Sequence, residues 1–244
     1  MDDRKIIAFV AYPEMTPLDL IGPLQVIKLL EGFGPYQVVT VAESLEPVTT
    51  DVGLKVQAER SFEEVPRPFA LVLPGGAIGP IKAIVSDTLM AYVREAADGA
   101  EIVGSVCTGS IILAAAGLLE GRRATTHWAF LDYLARLGVQ PTRKRWVEDG
   151  KFITAAGVSA GIDMALALTA RLAGEVAAKT IQAIIEYDPE PPFGAIEWAE
   201  VERMGLGPSM MSSLLPIIRG IIAAKPELAA KLFPGDGRPG DAAI

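Results

Sequence analysis

Apolar residues recur along this chain in two alternating rhythms. Residues 5–12, KIIAFVAY, form an almost unbroken apolar run of strand length, and directly afterwards Leu18, Ile21, Leu24, Ile27 and Leu30 follow one another at helical spacing up to Gly32. The first rhythm is that of a strand buried on both faces and the second that of a helix with one buried stripe. The pair repeats, which predicts strands at Tyr36–Ala42, Ala70–Leu73 and 101–106, and helices at 81–97, 108–119 and 129–137. Continuous apolar strands between amphipathic helices give an α/β fold, a flavodoxin-like sandwich whose mostly parallel central sheet carries helices on both faces.

Two stretches break the rhythm. Residues 48–64, with alternating Val52, Leu54 and Val56, read as an antiparallel excursion, and residues 142–154 read as an extra antiparallel hairpin turning at Asp149-Gly150. Helical periodicity returns at 160–172 and 176–187, split at Gly174, until Asp188-Pro-Glu-Pro-Pro192 stops it. One α/β domain over 1–193 is therefore expected, followed by a helical extension over 194–244. Pro208, Pro216 and Pro226 should break that extension into short helices, and the last ten residues read as disordered.

Composition narrows the function classes. A formal net charge of −8 lacks the basic surface that phosphate backbones require, so nucleic acid is not an expected partner. The single cysteine cannot form an internal disulfide, and one cysteine with one histidine is too few for a structural zinc site. Neither metal nor cofactor is expected. No apolar stretch reaches about 18 uninterrupted residues, and the apolar run at the N-terminus is too short for a signal peptide. A cytoplasmic protein with no membrane association is the resulting expectation.

That one cysteine stands where an apolar strand meets a small-residue helix start, GSVCTGS at 104–110. Small Ser105 and Gly109 flank a turn crowded by its own backbone, which is the layout of a nucleophile elbow with cysteine in place of serine. The helix beyond it aims free N–H groups at the sulfur, favouring an exposed, reactive thiolate. The competing reading is a small core residue, which is the fate of most lone cysteines.

The segments LDLIGP (18–23), LPGG (73–76), SVCTGS (105–110), AAGLLEGRRATTHWAFLDYL (115–134), ITAAGVSAGIDMAL (153–166) and EYDPEPPF (186–193) resemble the ThiJ/PfpI superfamily, whose fold is like that of class I glutamine amidotransferases. Within it the similarity is to the isocyanide hydratases. The resemblance implies that Cys107 is the nucleophile, that Asp19 is an acid beside it, and that the Thr108 hydroxyl helps hold the acid. Peptidase-like and chaperone-like branches carry histidine directly after the cysteine, so Thr108 argues against a Cys-His hydrolase. The region after 193 departs from the charged helical tail of the hydratases.

Other positions keep two readings. Asp19 also fits the first turn of a helix, where an acid suits the dipole. Gly75 and Gly76 follow a buried strand ending in Pro74; with the Thr108 amide, Gly76 would form an anion-stabilising pocket, unless the pair is a plain turn. His127 in ATTHW could lie near the site or be structural. Val158 is a pocket residue by resemblance, and Trp128 and Trp146 read as packing. The resemblance implies an enzyme acting on a small molecule, hydrating an isocyanide to an N-substituted formamide. A redox-stress protein and a glyoxalase or deglycase are the alternatives with the same cysteine, and a sensor half of a transcription regulator is disfavoured by the absence of a basic recognition helix. A homodimer is expected, using the first helix or the apolar tail.

Overall fold

The computed structural model describes residues 4–234. Its centre is a seven-stranded sheet in the order Trp146–Asp149, Phe152–Ala155, Ile102–Val106, Ala70–Leu73, Lys5–Val10, Tyr36–Ala42, Arg60–Ser61. Every neighbouring pair is parallel except the Trp146–Asp149/Phe152–Ala155 hairpin, which turns at Gly150 with φ +63. The central strands are apolar throughout because helices cover both faces: Ile7, Phe9, Leu71, Leu73 and Val103 are completely buried.

Register gathers the carboxyl ends of three neighbouring strands at one edge. Leu73 pairs with Ser105 and Ala155 with Val106, so the residues that follow, Pro74 to Gly76, Cys107 and Ala156, emerge side by side. Open parallel sheets place their sites along this edge.

The local differences from the sequence pattern have physical causes. The helix expected at 81–97 is two, Gly79–Ala83 and Asp87–Gly99, because the Ser86 hydroxyl accepts from the Leu89 amide and starts a new helix. The elbow helix ends early, at Ala115, before Gly117 with φ +80. Within 48–64, Val48–Thr49 and Lys55–Val56 pair antiparallel as expected, but Arg60–Ser61 returns to the main sheet as a parallel edge strand. Gly174, with φ +88, separates Ala160–Ala173 from Glu175–Ile184.

The C-terminal segment folds as Trp198–Arg203, Leu206–Ile222 and Pro226–Leu232, less fragmented than the prolines suggest. Pro208 falls in the first turn of the middle helix, where its missing N–H has no intrahelical role, and the helix runs through Pro216. Burial of Met211, Ile218 and Ile222 against the domain offsets the lost hydrogen bond. The Arg136 guanidinium donates to the Leu232 carbonyl at 2.7 Å and Lys225 pairs with Asp87, which ties the segment down. Of the apolar stripe expected to seek a partner chain, Met211, Ile218 and Ile222 are buried within this one while Ile217 stays half-exposed. The residues expected to be disordered lie outside the described ones. Among the described residues no helix is long and apolar enough to cross a membrane.

Candidate active site

Cys107 has φ +55, a left-handed conformation that a non-glycine residue adopts only under constraint. The constraint is visible. Its amide donates to the carbonyls of Ala155 and Ala156 at 3.1 and 2.8 Å, and its carbonyl accepts from the hydroxyls of Thr126 and Ser110 at 3.1 and 3.2 Å. Gly109 lets the elbow helix approach the neighbouring strand, since a Cβ there would stand 2.4 Å from the Leu73 carbonyl oxygen. Gly75 does the same from the other side, where a Cβ would stand 2.5 Å from the Thr108 nitrogen and 2.8 Å from the Cys107 Cβ. Gly75→Ala should therefore pry the elbow open at a cost of about 1–3 kcal/mol, as overpacking does. A chemical-denaturation midpoint unchanged from wild type would contradict this.

Asp19 sits in the first turn of Pro17–Leu29 and is completely buried. A dipole role calls for no such burial. Its Oδ2 accepts from the Gly75 amide at 3.2 Å, and its Oδ1 has no conventional partner; the Cys107 thiol is the polar group in contact with this carboxyl. Burial raises the Asp19 pKa to about 7, against the opposing pull of the Cys107 and Gly75 hydrogen bonds, and Asp51 adds to the rise.

Cys107 is only 6 % exposed, which corrects the expectation of an open thiolate at the corner. Burial pushes its thiol above the ordinary range and the Asp19 carboxylate pushes it further, while the amide and hydroxyl of Thr108 pull it down. Buried charges of like sign repel, so the pair holds two protons below about pH 7 and one above it.

Thr108 does not hold the acid through its hydroxyl. That hydroxyl donates to the Gly76 carbonyl and accepts from the Gly76 amide at 2.9 Å. The Gly75 amide is given to Asp19 and the Gly76 amide to Thr108, so of these three backbone amides it is that of Thr108 that meets the sulfur.

Beside the elbow opens a cleft of about 670 Å³. Its lining includes Thr126 and Ala156, both bonded to the Cys107 backbone, and the half-exposed Leu18, which precedes Asp19. The DJ-1/PfpI family model matches residues 4–171. The chain belongs to the DJ-1/PfpI family.

Members of this family that it resembles span several activities. It is 43% identical over 188 residues to an isonitrile hydratase of Pseudomonas putida, covering 77% of this chain and 80% of that one. It is 29% identical over 150 residues to the deglycase PfpI of Pyrococcus furiosus, covering 61% and 87%. Among solved structures, a ThiJ/PfpI family protein from Pseudomonas syringae superposes with a TM-score of 0.82 at 35% identity, covering 89% and 90% of the two chains. The flavodoxin-like reading of the fold agrees with that likeness.

In this DJ-1/PfpI chain His127 and Val158 both line the cleft. His127 Nδ1 accepts from the Ala129 amide at 3.4 Å, its ring packs on Trp128 and Phe130, and burial lowers its pKa, favouring the neutral imidazole. No hydrogen bond among those described joins it to Cys107. Trp128 lines the same cleft, whereas Trp146 stands apart beside Tyr187 and Pro189.

Tyr12 is the site residue hidden by the sequence pattern, since it closes an apolar strand and reads as one more core side chain. Its hydroxyl donates to the Pro74 carbonyl at 2.6 Å, bracing the turn whose Gly75 amide meets Asp19. Burial raises its own pKa, with the Asp19 and Cys107 charges adding to the rise. Asp51, which also raises the Asp19 pKa, comes from the excursion and accepts from the Thr16 hydroxyl.

Proposed function

We propose that the protein hydrates an isocyanide to an N-substituted formamide, with Cys107 as nucleophile and Asp19 as the proton carrier. The observation that carries the reading is the pair brought together at the elbow, a buried thiol and a buried carboxyl; the 43% identity to an isonitrile hydratase supports it independently.

An isocyanide carbon takes a soft nucleophile only if a proton reaches that same carbon. In the one-proton state Asp19 takes the thiol proton as sulfur attacks, and delivers it to the carbon. A C–S and a C–H bond form, leaving a thioimidate, Cys107–S–CH=N–R. Asp19, now ionised, removes a proton from water as its oxygen bonds to the same carbon, and passes that proton to the nitrogen. The C–S bond then breaks as Asp19 takes the remaining hydroxyl proton and hands it to the departing sulfur, and the formamide R–NH–CHO departs. The Thr108 amide stabilises charge on the sulfur, and the Gly75 amide keeps the carboxyl aimed.

This gives the sign of a pH profile. Below about pH 7 both groups are protonated and no base is present to free the sulfur; above it one proton remains and the pair is active. With an aryl isocyanide as substrate and formamide followed by absorbance, kcat/KM should rise through a midpoint near 7 and stay level above it. A profile that falls over the same interval, or no hydration of several isocyanides, would overturn the proposal. Burial of Cys107 weighs against the redox-stress alternative, because oxidation of a thiol follows its exposure.

We further infer a homodimer that uses the first helix, where Leu18 and Ile21 are 49% and 41% exposed. The lone unpaired cysteine supports a cytoplasmic location.

A further inference from the structure

We infer that residues 196–206 make the cleft a receptor for extended aromatic isocyanides; the inference rests on the proposed hydratase activity. Size is the first ground. A compact alkyl isocyanide of about six heavy atoms, each given about the 30 Å³ a water molecule occupies, would fill less than a third of 670 Å³, and the volume falls in the range of about 300–1,000 Å³ that takes ligands of several rings.

Chemistry is the second ground. The C-terminal segment contributes Ile196, Trp198, Val201 and Leu206 to the lining, together with Trp128 and Val158 of the domain. The Trp128 and Trp198 rings stand 5.9 Å apart, inclined at 58°, and so pack on each other as one continuous aromatic wall. Trp198 is 36% exposed and presents its uncovered part to the cleft.

The wall is built in place. Gly207 brings the helix Leu206–Ile222 against Trp128, where an added Cβ would stand 3.0 Å from the ring. From the opposite rim the Arg143 guanidinium stacks on Trp198 at 4.4 Å and pairs with Glu202 at 2.7 Å. Two contacts of different kinds thus hold Trp198 over the cleft, and the reacting carbon would lie toward Thr126 and Ala156, which bond the Cys107 backbone, with its aromatic substituent running outward along the tryptophan wall.

The experiment compares 4-biphenylyl isocyanide with tert-butyl isocyanide on wild type and on Trp198→Ala and Trp198→Phe, and measures binding of N-(4-biphenylyl)formamide by quenching of tryptophan fluorescence. The expected result is a KM for the biphenylyl substrate raised about tenfold in Trp198→Ala and restored in Trp198→Phe, with kcat little changed and the tert-butyl KM within about twofold throughout. Equal changes for both substrates, or none, would overturn the assignment. Wild type that hydrates tert-butyl isocyanide yet neither binds the biphenylyl formamide nor prefers the biphenylyl substrate would overturn it as well. Binding of that formamide without hydration of any isocyanide would support the aromatic cleft and defeat the hydratase reading instead.

Discussion

Cys107→Ala is expected to fold and to hydrate isocyanides no faster than buffer. The backbone hydrogen bonds that hold residue 107 at φ +55 involve its amide and carbonyl alone, so alanine inherits the geometry and its strain together. What it lacks is the atom that accepts the isocyanide carbon. Water held in the same place cannot substitute, since the covalent route splits one difficult addition into two easier ones. A melting temperature near that of wild type with turnover at background is the expected pair of results. Substantial activity in this variant would move the chemistry away from the elbow.

Asp19→Asn should lower kcat/KM by about 10²–10⁴, the range for a general acid–base group, and should abolish the rise in activity near pH 7. It should also stabilise the protein in alkaline solution. An acid whose folded pKa is raised from 3.8 to about 7 destabilises the fold progressively as pH climbs between those values, because the folded state retains a proton that the unfolded chain has released. The loss is complete above pH 7 and absent below the unfolded value. At about 1.36 kcal/mol per unit it amounts to roughly 4 kcal/mol, all of which asparagine avoids. Thermal melts at pH 8 should therefore place Asp19→Asn several degrees above wild type, and melts at pH 4 should bring the two together. A variant less stable than wild type at pH 8 would mean that Asp19 is ionised and well paired in the fold.

Much of this architecture was legible in the residues. The central strands are apolar on both faces, so their length and order of appearance stand out, and the small residues around Cys107 announce an elbow because nothing larger fits: Gly109 faces the Leu73 carbonyl at a distance no side chain tolerates. Less legible were contacts that depend on the backbone's exact path. That Thr108 spends its hydroxyl on Gly76 and not on Asp19 follows from how two turns meet, which no spacing encodes. The burial of Cys107 is likewise a product of how Gly75 and Ala156 close on the corner, against its Cβ and its amide. Two-residue strands such as Arg123–Ala124 and Gln140–Pro141 are too short to show any period. Pro216 misleads in the other direction, because tertiary burial of Ile218 and Ile222 carries a helix through it.

Covalent capture tests the central claim most directly. Wild-type protein mixed with an aryl isocyanide and quenched in acid during turnover should show, by mass spectrometry, a species heavier by the full mass of one isocyanide, since thioimidate formation adds the substrate without losing an atom. Peptide mapping should place the addition on Cys107, and Asp19→Asn, slowed in both halves of the reaction, should still carry it only at that residue. An enzyme that releases formamide steadily while its mass stays unmodified at every quench time, and that does so equally well as Cys107→Ala, would contradict the account.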